Sequence, residues 1–107
     1  MKGEFLRFYT HENQKVGGVL LYEWLLDQAK RLGIHGGTAF KAMAGFGRHG
    51  VMHEAKFFEL AGDLTVEVEF IVTPQEAAKL LDAVAAARVR LFYARVPAEF
   101  GVLDGEP

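Results

Sequence analysis

The chain contains no cysteine, which excludes disulfides, thiolate chemistry and cysteine-type zinc sites. Serine is absent as well, and the only threonines are Thr10, Thr38, Thr65 and Thr73. Nucleophilic catalysis therefore has almost no footing. No apolar run approaches the ~18 residues of a membrane span. Excess charge is missing too: 12 basic against 14 acidic side chains give a formal net charge of −2. The basic residues are scattered rather than striped, so sequence-independent nucleic-acid binding is not expected. Met1-Lys2-Gly3-Glu4 lacks the apolar core of a signal peptide, and a cytoplasmic location is the expectation.

What is present suits one folded domain: 107 residues, half of them hydrophobic, enough for one core. Phe5 to Tyr9 reads as a first strand, and His11 to Gly18, polar and then glycine-rich, as a loop. From Val19, Leu21, Leu25, Gln28/Ala29 and Leu32 recur at helical spacing until Gly33 stops the pattern. Thr38 to Phe46 reads as a second strand and 55–60 as a short extra one. Leu64, Val66, Val68, Phe70 and Val72 alternate with Thr65, Glu67, Glu69 and Ile71, the clearest half-buried strand. Thr73-Pro74-Gln75-Glu76 is a capping box with proline at the first helical position, and Ala77, Leu80, Leu81 and Val84 form that helix's buried stripe. Val89 to Val96 is the last strand, with Pro97 expected to end it.

This order predicts an α+β, ferredoxin-like βαββαβ sandwich over residues 1–97, with a C-terminal tail at 98–107. Right-handed crossovers give a four-stranded antiparallel sheet with both helices on one face. The other face is then bare, and the 9 Phe, 3 Tyr and 1 Trp exceed what two short helices can cover. Other copies of the chain should cover it, and a three-fold ring suits three sheets around one axis. The bland alternative is a monomer with an exposed aromatic patch.

The sharpest functional feature is the stretch Gly45-Phe46-Gly47-Arg48-His49-Gly50-Val51-Met52-His53. Its glycines let an anion approach the peptide N–H groups. Arg48 offers a fork of donors for phosphate or carboxylate, and His49 and His53 add charge that varies near neutral pH. The alternative is a long connection whose charges merely face solvent. Lys41 and Lys56 flank the loop and could face the same ligand or water. Arg88 and Arg90 bracket Val89 before the last strand, where period 2 places both on one face. They would grip a polyanion with a neighbour's basic loop, or merely offset the dipole of the second helix. His11, His35, His49 and His53 include no i, i+4 helical pair, so no metal site is assigned. Glu54 and Asp63 are the nearest thing to an acid/base pair, and an enzyme is not the expectation.

Leu6-Arg7-Phe8-Tyr9, Leu21-Tyr22-Glu23, Gly45-Phe46-Gly47, His53-Glu54-Ala55-Lys56 and Gly62-Asp63-Leu64 together resemble the small PII-like family catalogued as domain of unknown function 190. The likeness covers nearly the whole chain, and its most specific step is Gly-Phe-Gly followed six residues later by histidine. The resemblance implies a homotrimer with small effectors, often adenine nucleotides, in clefts between subunits. It implies a regulatory loop after the second strand, here Gly47 to Met52, that docks on a transporter or enzyme. No cofactor is expected. By position, the phosphate-holding junction of PII proteins falls near Arg88 and Arg90. Relatives often carry His-Gly-Lys-Pro where this chain has Gly17-Gly18-Val19-Leu20, and the loop lacks a tyrosine to be uridylylated. Two other classes share the architecture: metal-binding trimers of the divalent-cation-tolerance type, and small isomerases or monooxygenases with an apolar cavity near Tyr22 and Trp24.

Overall fold

The computed structural model describes residues 1–46, 52–54 and 64–105. Four strands form the main sheet: β1 (Lys2–His11), β4 (Gly37–Lys41), β7 (Thr65–Val72) and β8 (Phe92–Glu99), in the order β4-β7-β1-β8. Every pairing is antiparallel. Two small ladders accompany it, β2 (Lys15–Val16) with β3 (Val19–Leu20) and β5 (Ala44–Phe46) with β6 (Met52–Glu54). Helices α1 (Leu21–Arg31) and α2 (Pro74–Ala86) complete the ferredoxin-like arrangement. The extra strand expected at 55–60 lies outside the described residues.

Strand alternation decides what is buried. In β1 the side chains of Leu6, Phe8 and Thr10 are buried, and in β7 those of Val66, Val68, Phe70 and Val72. Leu21, Leu25 and Ala29 of α1, with Ala77, Leu80 and Val84 of α2, close over this face. Burial of such side chains contributes roughly 1.5–3 kcal/mol each, so this one layer carries most of the fold.

Helix α2 begins as its sequence dictates. The Thr73 hydroxyl accepts from the Glu76 N–H at 3.2 Å, and the Glu76 carboxylate accepts from the Thr73 N–H at 2.9 Å. Helix α1 has no side-chain cap; instead its Leu21 N–H donates to the Gln14 carbonyl at 2.7 Å. Gln14 also accepts from the buried Thr10 hydroxyl at 2.7 Å.

Four local expectations are corrected. The first strand extends well beyond Phe5–Tyr9 at both ends. The stretch after His11 is not all loop, because Gly17 (φ 55°) and Gly18 (φ 83°) make the two-residue turn of the β2–β3 hairpin. Both central residues at positive φ match the strand twist, and only glycine takes that geometry freely. The second strand is split: the Ala42 N–H still reaches the Thr65 carbonyl at 2.8 Å, but Met43 is 88 % exposed and the chain leaves the sheet there. Finally, β8 starts at Phe92 rather than Val89 and passes through Pro97 to Glu99. Met1 and Phe100 exchange both N–H···O bonds, each 2.9 Å. Antiparallel pairs alternate, so the Glu4–Pro97 pair is non-hydrogen-bonded and the proline nitrogen faces outward. On an edge strand that costs no ladder bond.

Replacing Thr73 with alanine removes the capping box without touching the core. Urea unfolding should show a loss of about 1 kcal/mol, with an unchanged m-value.

Candidate functional site

The register places the candidate groups at one end of the sheet. Lys41 pairs with Val66, Val66 with Thr10, and Tyr9 with Phe92. The β5–β6 ladder therefore springs from the same end at which α2 returns to β8 through Arg88 and Arg90. In that ladder Gly45 stands opposite His53, and Phe46, 72 % exposed, opposite Met52. The backbone thus gathers Gly45, Phe46 and His53. Gly47, Arg48 and His49 lie outside the described residues, as does Lys56.

Lys41 lies on the adjacent edge strand. Its ammonium sits 2.9 Å from the Glu12 carboxylate, beside a recess of about 170 Å³ lined by Glu12, Tyr22, Ala39, Lys41 and Val66. That volume falls below the ~300 Å³ of an ordinary small-molecule pocket. Tyr22 and Trp24 are partly buried against the core.

The Arg88–Arg90 junction differs from the sequence expectation. Arg88 lies in the left-handed region at φ 56°, with its N–H donating to the Ala85 carbonyl at 3.0 Å. It is the residue after the Ala87 cap, where helices usually place glycine. Because β8 starts only at Phe92, strand alternation does not align Arg88 with Arg90. Both side chains are exposed. A bulky residue held at positive φ stores strain of about 1–3 kcal/mol, and such strain clusters at functional positions.

Lys41 and Arg90 belong to opposite edges. Three inter-strand spacings separate β4 from β8, about 14 Å at ~4.8 Å each. One copy alone does not bring the two groups of cations onto one phosphate.

Sequence reasoning missed a second recess, about 340 Å³, between α2 and the start of β8, with Leu81, Ala85, Val89, Leu91 and Tyr93 in its lining. Its signal was present in Leu91-Phe92-Tyr93, but alternation alone could not say which ring faces which side. Tyr93 packs toward Phe8, ring centroids 6.3 Å apart, while Phe92 packs against Tyr9 at 5.6 Å on the other side.

That other side, away from the helices, carries Phe40, Ile71, Phe92 and Val96, between 39 % and 54 % exposed. Arg7 crosses it, 2.8 Å from Glu69 and 3.6 Å from Glu67, with its guanidinium 5.0 Å from the Phe5 ring. The hydrogen bond to Glu69 pushes the Arg7 guanidinium further toward its charged form. Tyr9 titrates above the usual phenol range, first through burial and then through the Glu67 charge. Among the described residues no three histidine, aspartate or glutamate side chains converge as a metal site, and no helix is long and apolar enough to cross a membrane.

A ferredoxin-like sheet open on one face, with a side ladder at one end, is the fold of PII-like proteins. CPII from Thiomonas intermedia K12, solved with ADP, AMP and bicarbonate, is similar at TM-score 0.63 and 18 % identity, covering 94 % of this chain and 97 % of that one. A PII-like signalling protein of Thermus thermophilus is similar at TM-score 0.60 and 18 % identity, covering 92 % and 87 %. The chain belongs to the DUF190 family, whose model, described as "Uncharacterized ACR", matches residues 3–90. The UPF0166 protein of Aquifex aeolicus is 33 % identical over 84 residues, 78 % of this chain and 80 % of its own length. The UPF0166 protein of Methanocaldococcus jannaschii is 35 % identical over 71 residues, 66 % and 65 %.

Arg88→Gly should raise the free energy of unfolding by about 1 kcal/mol by relieving the left-handed strain, whereas Arg88→Ala should not. Paired denaturant melts of the two variants measure the difference.

Proposed function

We propose that this chain is a PII-like regulator that binds a small anionic effector, with an adenine nucleotide as the expected ligand, between copies of itself. The observation that carries the reading is the shared end of the sheet: the β5–β6 ladder and the Arg88–Arg90 junction emerge at the same end, from its two opposite edges. Family membership and the nucleotides held by the CPII relative support it. The open aromatic face packs against other copies, with a homotrimer as the expected ring. Assembly then overcomes the gap of about 14 Å between the edges, because one copy's junction meets its neighbour's ladder.

In this site the Gly45–Gly47 backbone approaches phosphate with its N–H groups. Arg48 and Arg90 pair with phosphate oxygens, Arg88 and Lys41 add positive potential, and His49 and His53 contribute hydrogen bonds that strengthen as pH falls. Residues 47–53 take a different shape with ligand present, and a protein partner, a transporter or an enzyme, reads that shape. The shift is limited by how differently the two loop states bind the ligand. The role is regulatory rather than catalytic, in the cytoplasm.

Isothermal calorimetry with ADP, ATP and AMP tests the site. Combining Arg48→Ala with Arg90→Ala should weaken binding at least about a hundredfold, the loss of two charge-assisted hydrogen bonds. Heat signals that survive both changes remove the proposed site, and light scattering of a single-copy particle at micromolar concentration removes the ring.

A further inference from the structure

The segment that follows β8 presents two apolar side chains almost wholly to solvent: Val102 is 89 % and Leu103 101 % exposed. A concavity between α2 and β8 offers apolar side chains that such a segment could cover. Leu81, Val84, Ala85, Val89, Leu91 and Tyr93 line an open recess of about 340 Å³.

The two cannot meet within one chain. The recess lies at the Phe92 end of β8, and the segment leaves at the Glu99 end. At ~3.3 Å per residue those ends stand about 23 Å apart. The stretch from Glu99 to Leu103 reaches at most about 14 Å. An occupant drawn from this sequence must therefore come from a second copy.

Charge agrees with that pairing. Arg88 and Arg90 flank the lining residue Val89 and are both exposed. The chain after Arg95 has no basic residue and includes Glu99, Asp104 and Glu106. Asp82, also in the lining, leaves the two arginines in excess.

We infer that Val102 and Leu103 of one copy insert into the α2–β8 recess of the next, which brings the acidic C-terminal sequence to the side of that copy where Arg88 and Arg90 lie. The contact joins two different surfaces, so it propagates head to tail and closes when the rotation permits a ring. It rests on the ring reading above and names the residues of the seam. It also sets the neighbour's carboxylates against an anionic effector for the same guanidinium groups, which couples assembly to ligand binding.

A chain without cysteine offers a clean test. Positions 85 and 103 are both exposed, so Ala85→Cys and Leu103→Cys leave the core intact. Mixed under mild oxidation, the two single variants should form the inter-chain disulfide about tenfold faster than a control mixture of Val19→Cys with Leu103→Cys, because docking raises the local concentration. Equal rates overturn the seam. As a second measure, Leu103→Asp should raise the concentration at which the particle dissociates by about tenfold or more; an unchanged midpoint also overturns it. If the unmodified chain scatters as a ring and either result fails, the seam is wrong and the ring stands. If the unmodified chain scatters as a single copy, both fall.

Discussion

Burial on one side of a single sheet is the constraint from which the rest follows. Leu6, Phe8, Val66, Val68, Phe70 and Val72 all point toward α1 and α2. Alternation sends Phe5, Arg7, Tyr9, Glu67, Glu69 and Ile71 the other way. Among the described residues, two helices of 11 and 13 residues cover one face of the four-stranded sheet. The opposite face is therefore chemically mixed, with an apolar border of Phe40, Phe92 and Val96 around the Arg7–Glu69 ion pair. A face so composed is poor as solvent surface and good as an interface whose charges set the register.

The same topology decides where chemistry can occur. In a ferredoxin-like order the second and last strands are the two edges, and the loops after strand two and before strand four share one end. Gly45 and Phe46 on one side, and Arg88 and Arg90 on the other, thus arise at the same end by connectivity alone. They remain separated by the width of the sheet, three inter-strand spacings or about 14 Å. At Arg88 the backbone holds a left-handed conformation that glycine would suit better.

Much of this was legible in the residues. The alternation from Leu64 to Val72 and the capping box at Thr73 gave β7 and α2 almost to the residue, because each rests on a local rule with a strong period or a defined hydrogen-bond pair. Less was legible where tertiary context decides. The break at Ala42–Met43 carries no proline or glycine to announce it. The Gly17-Gly18 turn was visible as glycine, but not as a hairpin, since its strands are only two residues each. In the candidate site, the sequence singled out Gly45, Phe46 and the two arginines, which the topology puts at one end of the sheet. It could not tell that Arg88 is a helix-terminal residue at positive φ, nor that Tyr93 and Phe92 divide between the two faces.

Pro97 carries one further consequence. Its nitrogen points off the outer margin of the sheet, so the exposed rim of β8 lacks a donor where a stacking strand would seek one. Beside it, Arg95 reaches inward to Glu4 of β1, its Nη2 donating to Oε2 at 3.1 Å. A strand approaching that rim finds one donor too few, which discourages unlimited lateral growth into fibrils.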